Sequence, residues 1–379
     1  MPSNSSFFIT LPGVQLQVRE FAFFLLPIVN LLCRSKNKVW IADRKLKSLI
    51  AWFLIIIIFT ELFKHLYFDE GLGNVFKTIR IGLPLFSSLL LVYTGIRADI
   101  KKVWRTLLWA ISVSSVLTLI TPFVFLPIYP SIEGENILEA AKGRLMNSNA
   151  SFGIIGVYLL YKDKNHWYNN GMLPKLTALL SIAVLILTFN RTYLALLVLA
   201  FLYLSFTEFS LRKAFKIISI PIVAIIIFLT VYNFSEVIQR QVDKRIFDIV
   251  LGTTLLKESV YENNREGIYD GIINRINEGY WAFGLPYTTE IFVLYKTDGT
   301  IYKASKTDVS IINVLLRYGL VPLIFFLLIL LRTYRLDFEI VKFAILLYSL
   351  GSLNIDSLLA HNSIMFLLIL LFISRTIRD

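Results

Sequence analysis

From Leu176 to Phe206 the chain carries a single charge, Arg191, set in the polar notch Asn190-Arg191-Thr192 of "LTFNRTYLALLVLAF". A cation inside such an apolar run is costly in hydrocarbon, by roughly 2.5–3.5 kcal/mol at the centre of an inserted helix. Either the chain turns at water there, or the charge is held in the membrane for a purpose. Apolar runs of comparable length recur through the sequence, and they decide the class. Of the 379 residues 56% are hydrophobic and only 17% charged, against ~45–50% and ~25% in soluble domains. Runs near ~20 apolar residues are the signature of transmembrane helices. The fold class predicted is an all-α polytopic membrane protein, with the lipid bilayer as its first partner.

Eleven spans are predicted, near 14–33, 47–66, 75–96, 104–126, 149–162, 174–190, 192–209, 214–233, 309–331, 339–355 and 362–376. Charge orients them. Basic residues crowd alternate connections: Arg34, Lys36, Lys38, Arg44, Lys45 and Lys47 first, then Arg97, Lys101, Lys102 and Arg105. Lys162, Lys164 and Lys175 follow, then Arg212, Lys213 and Lys216, then Arg332, Arg335 and Lys342, with Arg375 and Arg378 near the last residue. The intervening connections are poor in Lys and Arg or carry acids, such as Glu133, Glu135 and Glu139. The positive-inside rule puts the N-terminus outside and the C-terminus in the cytoplasm.

That alternation holds only if Leu176–Phe206 crosses twice, with its break at Asn190-Arg191. Arg191 is therefore expected at the external mouth of a tight helix pair. Residues 1–233 then form helices one to eight and residues 308–379 helices nine to eleven. Between them, 234–307 is one large external loop with short amphipathic helices. In that loop Ile268, Ile272 and Ile276 recur every fourth residue, one face of a helix, and "FGLPY" and "TDGT" read as turns. No internal repeat is visible.

Several functions are disfavoured at once. The net charge of +12 lies in the loops that set orientation, so no nucleic-acid partner is expected. The single cysteine, Cys33, has no partner for a disulfide and no metal-ligand spacing around it. No cleavable signal peptide is expected, because Arg19, the first basic residue, follows an apolar stretch.

Polar residues gather instead at the predicted outer face, where charge at membrane depth marks function by default. Arg144 leads into the fifth span and Arg191 lies between the sixth and seventh. Arg265 and Arg275 flank the amphipathic loop segment, Asp308 opens the ninth span, and His361-Asn362 open the last. Bland alternatives stand beside each: snorkelling for Arg144, a solvated face for Arg275, helix capping for Asp308, interfacial packing for His361. Arg317, deeper in the ninth span, reads equally as a buried ion pair or a ligand contact. Arginine's planar, permanently charged fork suits phosphate oxygens, and a cluster of arginines stabilises charge on a departing diphosphate. One aspartate can deprotonate a sugar hydroxyl. No Asp/Glu cluster suggests a divalent metal, and no cofactor is expected.

Four stretches, in order, resemble the Wzy-type O-antigen and capsular polysaccharide polymerases, relatives of the WaaL O-antigen ligases. They are "GRLMNSNASFGIIGVYLL", "LTFNRTYLALLVLAF", "NREGIYDGIINRINEGYWAFGLP" and "KTDVSIINVLLRYGLVPLIFFLL", together covering most of residues 140–331. The resemblance implies a GT-C-type helical fold and metal-independent, inverting transfer from a polyprenyl-diphosphate-linked glycan. It implies that Arg191 and Arg265, with Arg144, bind the donor diphosphate. Asp308 stands where the ligases carry a histidine, which favours a polymerase and makes Asp308 the base. Arg275, Tyr269 and His361 complete the substrate-binding candidates, and Tyr269, Tyr280, Trp281 and Tyr287 are placed to stack on sugars. The expected partners are the undecaprenyl-diphosphate-linked donor and acceptor, a chain-length regulator and a flippase. The alternatives are an O-antigen ligase and a non-enzymatic lipid-linked oligosaccharide transporter. The expected location is the bacterial inner membrane.

Overall fold

The computed structural model describes residues 8–11, 14–32, 43–69, 71–120, 149–162, 166–188, 190–207, 233, 270–287, 289–295, 301–304, 309–336, 338–353 and 361–378. In chain order its elements are strands β1 (Phe8–Leu11) and β2 (Val14–Gln17), then helices α1 (Val18–Leu32), α2 (Arg44–Tyr67), α3 (Leu72–Ile81), α4 (Leu83–Thr94) and α5 (Ile100–Ile120). Helices α6 (Phe152–Tyr161), α7 (Met172–Leu187) and α8 (Arg191–Thr207) follow. A short helix, α9 (270–277), precedes strands β3 (Phe292–Tyr295) and β4 (Ile301–Ala304). The last helices are α10 (Ser310–Tyr318), α11 (Leu320–Tyr334), α12 (Glu339–Gly351) and α13 (His361–Arg378). The protein is helical. Among the described residues α2 and α5 are long and apolar enough to cross a membrane, and shorter apolar helices make up much of the rest.

The chain divides into two compact units, residues 1–7 with 99–257, and residues 8–98 with 258–379. In the first, α6 is buried along its length from Phe152 to Leu159. Two glycines let α7 approach it closely: a Cβ on Gly153 would lie 2.9 Å from the Ser181 carbonyl oxygen, and one on Gly156 3.1 Å from the Ala178 backbone. Small residues at such a contact are the usual means of packing apolar helices tightly. On its other side α7 meets α5, where the Ser112 and Thr177 hydroxyls lie 2.7 Å apart. Trp104 donates its indole N–H to the Tyr168 carbonyl at 2.6 Å. The last carbonyls of α6 are closed by Asn169, whose amide donates to Leu159 and to Lys162 at 2.7 and 2.8 Å.

In the second unit α2 buries a stripe, Leu46, Ile50, Phe53, Ile57, Thr60, Glu61 and Lys64, at helical spacing. The opposite face stays apolar and open: Phe59 is 73% and Leu66 80% exposed. α2 runs antiparallel to α11. At one end the Asp43 carboxylate pairs with the Arg332 guanidinium and caps α2 through the Leu46 N–H. Burial alone would raise the Asp43 carboxyl, but Arg332 and the backbone N–H groups outweigh it and hold it below the usual carboxylate range. Nearby along the same unit, Asn30 of α1 donates to the Gly95 carbonyl at 2.8 Å and accepts from the Arg97 N–H at 2.9 Å.

Two short antiparallel hairpins, β1–β2 and β3–β4, accompany the helices, and four of the predicted spans differ from expectation. The first hairpin occupies the start of the predicted first span, because Pro12-Gly13 is a turn signal between two short alternating segments. The predicted third span is two helices, α3 and α4, parted at Gly82; Pro84 lies in the first turn of α4, where a missing N–H costs nothing. The predicted ninth span is also two helices, α10 and α11, parted at Gly319 with φ +91°. Finally α6 has ten residues, about 15 Å of helix, half the thickness of a bilayer core. The predicted eighth span, 214–233, lies almost wholly outside the described residues.

Gly319 gives a direct stability test. A Cβ there would lie 2.5 Å from the Ala282 carbonyl oxygen, in a left-handed conformation that L side chains adopt at a cost. Gly319→Ala is expected to destabilise by about 2–3 kcal/mol, read as a drop in thermal midpoint in detergent. Gly73→Ala, in α3 with open space around it, is the control and should be at least as stable as the wild type.

Candidate functional site

The break that Arg191 marks has a defined local cause. α7 ends at Leu187, where Thr188 turns its hydroxyl back to the Leu185 carbonyl at 2.7 Å. Asn190 then caps the next helix: its side-chain oxygen accepts from the N–H groups of Thr192 and Tyr193 at 3.0 and 3.2 Å, and its carbonyl from Leu194 at 2.9 Å. Arg191 is the first residue of α8. A helix start concentrates positive backbone charge, which favours an anion there.

Of the other expected site residues, Arg144, Arg265, Tyr269 and Asp308 lie outside the described residues. Asp308 directly precedes Val309, which occupies the cap position of α10. His361 is the first residue of α13. Arg275, on α9, is engaged locally. Its Nε donates to the Glu290 carbonyl at 3.0 Å and its Nη1 pairs with Glu278 at 2.6 Å. That ties α9 to the segment leading into β3. The face expected from the isoleucine spacing is there, with Ile272 buried among Leu285, Ile291 and Leu316 and with Ile276 and Tyr280 packed against them. Ile268 lies outside the described residues. Trp281 is 42% exposed, open enough to meet a ligand. Among the described residues, Arg191 belongs to one compact unit, and Arg275, Trp281 and His361 belong to the other.

That second unit holds a charged cluster that does not stand out in the sequence. Among the described residues the buried charged side chains are Glu61, Lys64 and Arg317. The Lys64 ammonium lies 2.5 Å from a Glu61 carboxylate oxygen and donates to the Arg317 carbonyl at 2.8 Å and to the Leu285 carbonyl at 3.4 Å. Tyr318, beside them, donates its hydroxyl to the Thr78 carbonyl at 3.2 Å, reaching across the break at Gly82. A signal for the pair exists: Glu61 and Lys64 stand three apart near the predicted outer end of the second span, where the orientation rule disfavours a lysine. Arg317, open in sequence to a structural or a ligand-contacting role, has a side chain only 2% exposed.

Comparison of the sequence with known protein families and with curated protein sequences finds no match.

Proposed function

We propose that the chain is a multi-pass glycosyltransferase of a bacterial cytoplasmic membrane that polymerises lipid-linked oligosaccharide repeats at the outer face. The donor is the growing glycan on undecaprenyl diphosphate and the acceptor a single lipid-linked repeat unit. Arg191 and Arg265, with Arg144, hold the donor diphosphate. Asp308 takes the proton of the acceptor hydroxyl as its oxygen attacks the anomeric carbon. The bond from that carbon to the diphosphate oxygen breaks, the configuration inverts, and the diphosphate leaves on its lipid.

The observation that carries this reading is the Asn190-capped start of α8, which makes Arg191 a cation at the positive end of a helix in an otherwise apolar run. Support for the topology comes from the pairing of ends within each unit. Asp43 with Arg332, Asn30 with Arg97, and Lys101 over the Trp167 ring at 5.6 Å all join segments assigned to the cytoplasm. Lys64, at the outer end of the second span, meets Leu285 of the segment assigned to the outside. The apolar outward face of α2 suits lipid better than water.

One observation favours a second reading, a lipid-linked oligosaccharide transporter. Transporters build sites at broken helices, and here the breaks at Gly82 and Gly319 meet through Tyr318. The carbonyls at these breaks are engaged by protein donors, Lys64, Leu285 and Tyr318, which weighs against an ion or substrate there. Reconstitution with a lipid-linked single repeat unit separates the readings: a polymerase makes longer chains, and a transporter moves the substrate unchanged.

A further inference from the structure

A helix that stops inside a folded unit leaves its last carbonyls without intrahelical donors, and each needs another partner. At the end of α10 three of these are accounted for. The Leu315 carbonyl accepts from the Gly319 N–H at 2.8 Å, the Leu316 carbonyl from the Leu285 N–H at 2.6 Å, and the Arg317 carbonyl from the Lys64 ammonium at 2.8 Å. Two of the three donors come from elsewhere in the chain, one from α2 and one from the loop segment "YWAFGLP". That segment is held from both sides. Gly284, with φ +83°, lets its backbone lie against the Arg317 carbonyl, and Gly319, with φ +91°, lies against the Ala282 carbonyl.

The ammonium donates to the Arg317 carbonyl at 2.8 Å and to the Leu285 carbonyl at 3.4 Å, and it forms an ion pair with Glu61 at 2.5 Å. Glu61 balances its charge, so a fully buried lysine is tolerated where an uncompensated one would not be. A cation also sits favourably at the negative end of α10. Aromatic contacts flank the joint, Phe63 against Phe283 with ring centres 4.8 Å apart and Phe68 against Tyr280 at 6.1 Å.

We propose that Lys64, neutralised by Glu61, is a positioning residue that clamps the loop turn 282–286 and the end of α10 to α2. In this way it fixes where α10 ends, and so the placing of a helix whose first residue, Ser310, stands two positions after Asp308. The part of this inference that concerns Asp308 rests on the polymerase reading above; the clamp itself does not.

Lys64→Met alone changes the net charge of the buried cluster that includes Arg317 and can unfold the unit, so the informative variant is Glu61→Gln/Lys64→Met, which removes the ion pair and leaves that net charge unchanged. Hydrogen–deuterium exchange on the full-length protein in detergent reads the clamp. Amides of 282–286, Leu285 above all, are expected to exchange about 10–100-fold faster than in the wild type, while α4 and α11 exchange as before. Unchanged exchange at 282–286, or a uniform rise across the whole unit, overturns the proposal. In the reconstituted polymerisation assay the double variant is expected to lose kcat on the order of 10–100-fold at unchanged KM for the donor, with partial recovery in Lys64→Arg. Activity that follows only the amount of folded protein overturns the positioning role. If the wild type makes no polymer, the polymerase reading falls and the exchange result alone decides the clamp.

Discussion

Arg191→Ala is expected to abolish long-chain polymer while the protein accumulates in the membrane at its normal level. The fold has little reason to suffer. The cap of α8 is made by Asn190 through the Thr192 and Tyr193 N–H groups, which the substitution leaves in place, and alanine is the best helix former. What is lost is a permanent cation where the positive end of a helix already favours phosphate. Removing one preorganised donor to a developing negative charge costs on the order of 10²–10³ in rate, and a processive reaction compounds that loss at every addition. Arg191→Lys keeps the charge and loses the fork, so it should give shorter chains rather than none. The measurement is the length distribution of the product on a gel beside an immunoblot of the membrane fraction. Wild-type chain lengths from the alanine variant would sink the assignment.

Asp308→Asn is the second large effect expected. General-base catalysis contributes roughly 10²–10⁴ in rate, and asparagine keeps the size of the side chain while discarding its basicity. The competing role, capping α10, is weakened by the cap geometry, because Val309 holds the cap position. Asparagine also caps helices as well as aspartate does. A structural role therefore leaves the Asn variant close to wild type, and a base role leaves it with residual turnover only. Initial rates on a lipid-linked repeat unit, normalised to folded protein, distinguish the two; a normal rate removes Asp308 from the chemistry.

What could be read from the sequence was what a single local signal dictates. The Asn190 cap follows from a side chain of the right type at the edge of an apolar run, and the division into α7 and α8 needs nothing else. The buried face of α9 follows from isoleucines at helical spacing, with Ile272 and Ile276 turned inward. The breaks at Gly82 and Gly319 were not legible, because a glycine in an apolar run is compatible with a continuous helix. What breaks these is tertiary: the Tyr318 hydroxyl against Gly82 and the loop turn against Gly319. The β3–β4 hairpin was half legible: "TDGT", which lies outside the described residues, reads as a turn signal in the sequence, and the four-residue strands are too short for a period to show. Glu61 and Lys64 look like the polar fringe of a span until Leu285 and Arg317, far along the chain, close around them.

The most direct measurement of the central claim is made on the purified protein reconstituted in liposomes with a single lipid-linked repeat unit as its substrate. The expected result is a ladder of products spaced by one repeat, each still on its lipid carrier, which disappears in Arg191→Ala. Substrate that stays one repeat long, whether left in place or moved across the bilayer, would contradict it.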